Sequence, residues 1–114
     1  MPEEARDISE YRGMWLFTMF DLPVTTKKAR KRYAAFRKEL AREGFMMLQY
    51  SVYARYFGSI ERSEPCRRRV SAMIPPGGHV RLMMVTDHQF GKMEVYHGEK
   101  EGEPEKPPQQ IALF

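Results

Sequence analysis

The sequence predicts one α+β domain whose segments run strand, helix, strand, strand, helix, strand. Apolar β-prone runs alternate with two segments of helical periodicity, and 114 residues suffice for one hydrophobic core rather than two. Hydrophobic residues make up 42% of the chain and charged residues 30%, which is near the composition of an ordinary folded domain. The length excludes a multidomain enzyme, and the composition disfavours a globally disordered chain.

The first strand and helix lie before residue 45. Residues 14–20 (MWLFTMF) form an unbroken apolar run that ends at Asp21, as in a central strand buried on both faces. Thr25 or Thr26 can cap the helix that follows, and Gly44 is placed to end it. The helix has a single apolar stripe, formed by Ala29, Tyr33, Phe36 and Leu40.

The next segment, residues 45–57, is β-prone throughout and long for one strand. We expect two strands folded near residues 49–51, although no Gly, Asn or Asp marks a tight turn there. Alternation divides the second half of the segment into two faces. One face carries Val52, Ala54 and Tyr56, and the other carries Tyr53, Arg55 and Phe57.

A second, shorter helix is predicted to begin at Ser63 as N-cap, with Pro65 in the tolerated first turn. Its apolar face consists of Cys66, Val70 and Met73. The PPGG sequence at 75–78 stops this helix, and residues 79–86 alternate as another strand.

The remaining segments complete a predicted domain over residues 1–98, with residues 1–12 as an N-terminal extension. Residues 87–91 are predicted to form a loop, and residues 92–97 a last short strand. The order of elements gives a ferredoxin-like βαββαβ fold with an extra C-terminal strand, in which both helices cover one face of an antiparallel sheet.

Residues 99–114 form an acidic, proline-rich tail that ends in an apolar segment. Two interpretations remain open for that segment: a frayed end, or a strand or hook added to a neighbouring subunit's sheet. The candidate partner contacts are Ile111, Leu113 and Phe114.

Several classes of function are disfavoured by what the chain lacks. It has no apolar run near the roughly 20 residues needed to span a bilayer and no signal-peptide pattern, so we expect a cytoplasmic protein without membrane contact. A single cysteine, Cys66, makes no internal disulfide, and His79, His88 and His97 lie too far apart for a familiar zinc spacing.

Positive charge is concentrated in the body of the chain. Residues 11–98 carry 16 basic and seven acidic side chains, whereas both ends are acidic. Such a body attracts polyanions, phosphate backbones above all. The densest stretch, residues 25–43, holds eight basic residues and only two acidic ones.

These basic residues supply the candidate nucleic-acid contacts. A nearly uniform basic helix face repels itself, and a phosphate backbone would offset that repulsion; a merely solvated basic face is the alternative. The candidates are Lys27, Lys28, Arg30 and Lys31 in the first helix and Arg67, Arg68 and Arg69 in the second.

Asp21 is the candidate catalytic and metal-binding residue. Aspartate is scarce in this chain, and Asp21 stands at a strand end, where a fixed carboxylate can meet a ligand. One carboxylate is a poor Mg²⁺ site, but a two-fold dimer could pair it with its symmetry mate and so serve phosphodiester cleavage. The alternative is that Asp21 caps the first helix or accepts a hydrogen bond in the turn.

Four blocks, in their order and spacing, resemble the CRISPR-associated Cas2 family, the smaller of the two core CRISPR adaptation proteins. They are FDLP (20–23), the basic first helix, GFMMLQYSVYAR (44–55) and IPPGG (74–78). The resemblance spans roughly residues 14–97. With TDHQFGK (86–92) included, it is closest to members from type II CRISPR systems.

The resemblance implies a ferredoxin-like homodimer that binds double-stranded protospacer DNA and bridges dimers of the Cas1 integrase during spacer acquisition. It also implies a metal-dependent endonuclease acting on RNA or DNA. Asp21 would be its catalytic residue and its Mg²⁺ ligand, shared with the dimer mate. The basic residues do not follow from the resemblance and depend on charge alone.

Three functions therefore stay open. The chain could be a non-catalytic DNA scaffold or a metal-dependent nuclease, and these two are compatible. The third is a single-strand RNA-binding module of the RNA-recognition-motif type, which shares the βαββαβ order and stacks bases on sheet aromatics. Its candidate aromatics are Tyr50, Tyr53, Tyr56 and Phe57.

Overall fold

The structure is a computed structural model and describes residues 13–98. The N-terminal extension (1–12) and the acidic tail (99–114) lie outside the described residues, and so do the candidate partner contacts Ile111, Leu113 and Phe114. The elements are β1 (Met14–Asp21), α1 (Lys27–Arg42), β2 (Met46–Gln49), β3 (Val52–Phe57), α2 (Ile60–Ala72), β4 (His79–Thr86) and α3 (Asp87–Gly91).

The four strands form one antiparallel sheet in the order β2-β3-β1-β4. This order and the two helices on one face confirm the predicted ferredoxin-like α+β fold. β1 lies in the centre, paired with β3 from Met14 to Met19 and with β4 from Met14 to Asp21. The apolar run of β1 agrees with this central position, because most of its side chains are buried and only Trp15 and Met19 within the run are partly exposed.

The main core lies between the sheet and the two long helices. Leu16 and Phe20 of β1 point into it, and α1 and α2 cover them with the apolar stripes that the sequence predicts. The helix residues in this core are Tyr33, Phe36 and Leu40 from α1 and Cys66 and Val70 from α2. Burial of these side chains fixes α1 on the sheet, so its polar residues point outward.

The opposite side, here called the open sheet face, carries a smaller apolar cluster built around Phe17, Ala54 and Phe90. Trp15 stacks on Phe90 with ring centroids 4.0 Å apart, and its indole Nε1 donates a hydrogen bond to Asp87 Oδ1 at 2.8 Å. Phe90 belongs to α3, so this helix packs on the open sheet face.

Both ends of α1 lie where the sequence predicts them. Thr26 is the N-cap, and its Oγ1 accepts a hydrogen bond from the Ala29 backbone N–H at 3.0 Å. After the C-cap Glu43, Gly44 takes a φ of 89°, a conformation that favours glycine and ends the helix. The predicted hairpin is also confirmed: β2 and β3 are joined through Tyr50 and Ser51.

Three local predictions were wrong. α2 begins earlier than expected, because Ser59 is its N-cap and its Oγ accepts from Arg62 N at 3.2 Å. Ser63 is instead buried inside the helix and donates to the Ile60 carbonyl oxygen. Pro65 therefore lies beyond the first turn.

The other two errors concern the C-terminal part of the domain. Residues 87–91 are the helix α3 and not a loop, because Thr86 and Gln89 form a reciprocal capping box. Residues 92–98 contain no strand in the described structure, so the extra C-terminal strand is not seen in this range. β-prone residues alone do not make a strand without a paired neighbour.

Candidate functional site

Asp21 is the last residue of β1, and its side chain is exposed. Side chains alternate along a strand, so Asp21 shares the open sheet face with Phe17. Within residues 13–98 its carboxylate makes no hydrogen bond or ion pair. Thr26, and not Asp21, caps α1. Neither helix capping nor a hydrogen bond in the turn therefore explains an aspartate at position 21, and its carboxylate can bind a ligand.

The register of the sheet places His79 beside Asp21. The two residues are direct cross-strand partners at the ends of β1 and β4, so their side chains project from the same face with Cβ atoms about 4.5–5.5 Å apart. Both are exposed. The sequence analysis missed this pairing because 57 intervening positions separate the two residues, and only the strand register brings them together.

The hairpin turn reaches the same end of the sheet from the other side. The Phe20 backbone N–H donates to the Ser51 carbonyl oxygen at 3.1 Å. Asp21 thus lies between the β2–β3 turn on one side and the start of β4 on the other, and α1 begins six residues further along the chain.

The residues present fit a Mg²⁺ ion only in part. Among residues 13–98 there is no group of three or more His, Cys, Asp or Glu side chains that could hold a metal. Mg²⁺ is commonly held by one or two carboxylates together with water and substrate phosphates. One chain supplies one such carboxylate, that of Asp21, which has no partner in residues 13–98. A second copy of the chain would supply a second carboxylate.

The N-terminal half of α1 is an exposed basic surface, defined here as Lys27, Lys28, Arg30 and Lys31. The three lysines form no ion pair with any residue from 13 to 98, and Arg30 Nη1 donates to the Val24 carbonyl oxygen at 3.1 Å. The first turn of α1 has no acidic residue. Cations at a helix N-terminus oppose the helix dipole, so an anion bound there would relieve an unfavourable arrangement.

The arginine triplet does not act as one group. Arg69 donates two hydrogen bonds to the Glu43 carboxylate, from Nε at 2.7 Å and from Nη2 at 2.8 Å. Arg67 Nε donates to Ser63 Oγ at 3.0 Å, and Arg68 pairs with Glu64 at 3.5 Å. Arg67 and Arg68 line a groove of about 370 Å³ between α2 and β4.

Glu43 is a structural residue that the sequence analysis did not single out. The hydrogen bonds from Arg69 hold the pKa of its carboxyl below the ordinary value, against the opposing effect of burial. Arg55 donates to the Glu43 backbone carbonyl oxygen, and burial, together with the Glu43 carboxylate, raises the pKa of the Cys66 thiol. Glu43 therefore ties α1 to α2 and keeps Arg69 engaged.

The aromatic residues do not form the stacking surface of an RNA-recognition motif. Tyr53 and Phe57 are buried under the helices in the main core. Tyr56 lies on the open sheet face next to Trp15, at a centroid distance of 5.5 Å, and Tyr50 is exposed in the hairpin turn. The four rings thus lie in three different places.

The sheet order and the layer of helices on one face place the chain among the ferredoxin-like α+β proteins. Its candidate site combines the basic helix α1 with Asp21, the last residue of the strand that precedes this helix. The chain belongs to the family of CRISPR associated protein Cas2, because the family model matches residues 14–93. This assignment confirms the resemblance seen in the sequence.

Two relatives show how far the similarity extends. The chain is 50% identical over 101 residues to a CRISPR-associated endoribonuclease Cas2 of Parvibaculum lavamentivorans, covering 89% of this chain and 100% of the relative. It is 42% identical over 112 residues to the Cas2 endoribonuclease of Flavobacterium psychrophilum, covering 98% and 97%.

A solved structure shares the fold. The crystal structure of Streptococcus pyogenes Cas2 at pH 6.5 superposes with a TM-score of 0.58 at 15% identity, over 73% of this chain and 99% of that one.

In addition, no helix within the described part of the chain is long and apolar enough to cross a membrane.

Proposed function

We propose that this chain is a homodimeric endonuclease that binds nucleic acid on the basic surface of α1 and cleaves phosphodiester bonds at Asp21 with Mg²⁺. The observation that carries the proposal is the exposed Asp21 carboxylate, which has no partner in residues 13–98 and stands at the strand end that leads into α1. The endoribonuclease names of its relatives support RNA as a substrate class.

The homodimer is supported by the open sheet face. Apolar side chains of all four strands are only partly buried there: Trp15, Met46, Leu48, Val52 and Val85. A second copy would remove this apolar area from water. Asp21 lies on the same face, so a two-fold axis near the end of β1 would bring two Asp21 carboxylates toward each other.

The chain's own residues divide the work between binding and chemistry. The lysines of the basic surface hold the backbone phosphates, since they have no competing acidic partner. Asp21 would hold the metal through its carboxylate oxygens. Mg²⁺, when bound, would neutralise charge on the phosphate and make a water more acidic. The β2–β3 turn and the start of β4 would flank a phosphate bound at Asp21.

The test is cleavage of RNA and DNA oligonucleotides by the purified protein with and without Mg²⁺. Asp21→Asn should reduce the metal-dependent cleavage by about 100-fold or more and should retain oligonucleotide affinity. Glu64→Gln, an exposed acid-to-amide change on α2, is the matched control and should cleave like the wild type. Equal cleavage by Asp21→Asn and the wild type would exclude Asp21 as the metal ligand.

A second candidate function is a scaffold in spacer acquisition, in which the dimer holds double-stranded DNA and bridges dimers of the Cas1 integrase. The uniformly positive, unpaired lysines of α1 favour it, because they suit a long phosphate backbone. Spacer integration with purified Cas1 should then survive Asp21→Asn. Charge reversal of Lys27, Lys28 and Lys31 together should abolish both DNA binding and integration, and integration that survives the reversal would refute the scaffold.

A further inference from the structure

Tyr50 occupies an unusual position for an aromatic residue. It lies in the two-residue turn of the β2–β3 hairpin, and the residue is 73% exposed. Its neighbour Ser51 adopts a φ of 64°. Small or polar residues are usual in such turns, and a ring that is mostly exposed gains little from burial. Burial in the core therefore does not explain a tyrosine at this position.

The Tyr50 ring is nevertheless held in place. It stacks on Tyr33 of α1, with ring centroids 6.0 Å apart and planes 23° apart. Tyr33 is itself buried, and its hydroxyl shares a hydrogen bond of 2.9 Å with Ser51 Oγ. One side of the Tyr50 ring is thus supported by the core, and its exposure leaves the other side open to solvent.

Positive charge lies around this stack. The Arg37 guanidinium carbon is 5.9 Å from the Tyr33 ring centroid, and Arg37 Nε donates to Tyr53 Oη at 3.2 Å. Arg30 is one turn before Tyr33 on the same helix, which places it on the same side of α1. A ring that is fixed from behind, on a stack that an arginine contacts, can bind a nucleobase on its free face while nearby arginines attract the adjoining phosphates.

The stack also lies beside the proposed catalytic end of the sheet. The hydrogen bond from Phe20 N to the Ser51 carbonyl oxygen joins the turn to the residue before Asp21. A strand with one base on Tyr50 would therefore have part of its backbone near the end of β1. A base in the interior of a duplex is already stacked on both sides, so the ring can take an unpaired base or the last base pair of an open duplex end, but no internal base.

We propose that Tyr50 is a stacking platform for one unpaired nucleobase of the nucleic acid that α1 binds. The proposal rests on the proposed function and narrows its substrate class to nucleic acid that is single-stranded at this point. The platform is sequence-tolerant, because every base has a flat face.

The test compares three fluorescein-labelled probes by polarisation: a single-stranded oligonucleotide, an otherwise identical strand of abasic sites, and a duplex of the same length whose two ends are closed by base-free linkers. The full-length wild type should prefer the base-containing strand to the abasic one. Tyr50→Ala should weaken binding of the base-containing strand about 5- to 100-fold, and should leave affinity for the abasic strand and the duplex within about two-fold.

Two further variants separate stacking from other roles. Tyr50→Phe keeps the ring and should bind like the wild type. Tyr96→Ala removes a tyrosine that is 82% exposed and should have no effect. The proposal would be refuted if Tyr50→Ala bound the base-containing strand as tightly as the wild type does. It would also be refuted if Tyr50→Ala lost the same affinity for all three probes. If the wild type binds none of the probes, the proposed function fails and the platform fails with it.

Discussion

Replacement of Glu43 by glutamine tests the link between α1 and α2. The substitution keeps the size of the side chain and removes its charge. The Glu43 side chain is 17% exposed and accepts two hydrogen bonds from Arg69, whose side chain is 56% exposed. Hydrogen bonds to a charged group contribute about 1.5–3 kcal/mol when buried, and the solvent around Arg69 lowers this.

We therefore expect Glu43→Gln to reduce the free energy of unfolding by about 1–2 kcal/mol. For a domain of this size the melting temperature should fall by about 4–16 °C. The measurement is urea and thermal denaturation followed by circular dichroism, at one protein concentration. Glu39→Gln on the same helix is the control, because its pair with Arg42 is exposed and should contribute about 0.5 kcal/mol or less.

The effect of Glu43 should depend on pH in a defined direction. The pKa of the folded carboxyl lies below its ordinary value of 4.5, so the stabilisation is fully present above that pH. It is lost as pH falls through the folded pKa, where the native carboxylate takes up a proton. The difference in stability between wild type and Glu43→Gln should therefore shrink in acid. A Glu43→Gln protein as stable as Glu39→Gln at pH 7, or a difference that grows in acid, would refute the reasoning.

Three further predictions concern the helix start, the open sheet face and the basic surface. Ser59→Ala should cost about 1 kcal/mol in urea denaturation, because it removes the N-cap of α2; an unchanged midpoint would contradict that assignment. Phe90→Ala should cost about 3–5 kcal/mol and weaken the near-ultraviolet circular dichroism of Trp15; a spectrum like the wild type would argue against the stack. Lys28→Ala and Lys31→Ala should each flatten the salt dependence of nucleic-acid binding by about 0.9 in log–log slope, and unchanged slopes would place the phosphates elsewhere.

The strands and long helices of this fold were predictable because local periodicity encodes them. The run at 14–20 and the stripe through Tyr33, Phe36 and Leu40 each follow a single period, and burial in the structure agrees with both. The start of α2 was not predictable in the same way. Ser59 and Ser63 are both plausible caps, and the choice depends on which of them the sheet can bury.

The candidate site likewise contains features that the sequence could locate and features that it could not. The position of Asp21 at a strand end and the charge of α1 are properties of the chain order, and the structure agrees on both. The way in which the arginine triplet (67–69) divides among different partners does not follow from the order of the chain. Arg69 is engaged because Glu43, 26 positions away, lies within hydrogen-bonding distance, and no local pattern reports such a pair.

The sequence by itself determined the order of the four strands and the two long helices, the positive charge of α1 and the place of Asp21 at the end of β1, because each depends on neighbours along the chain. Only the tertiary structure decided that His79 lies beside Asp21, that Glu43 engages Arg69, and that Tyr50 stacks on Tyr33. Each of these contacts joins different elements, and it exists only once strand register and helix packing have fixed the distance between them.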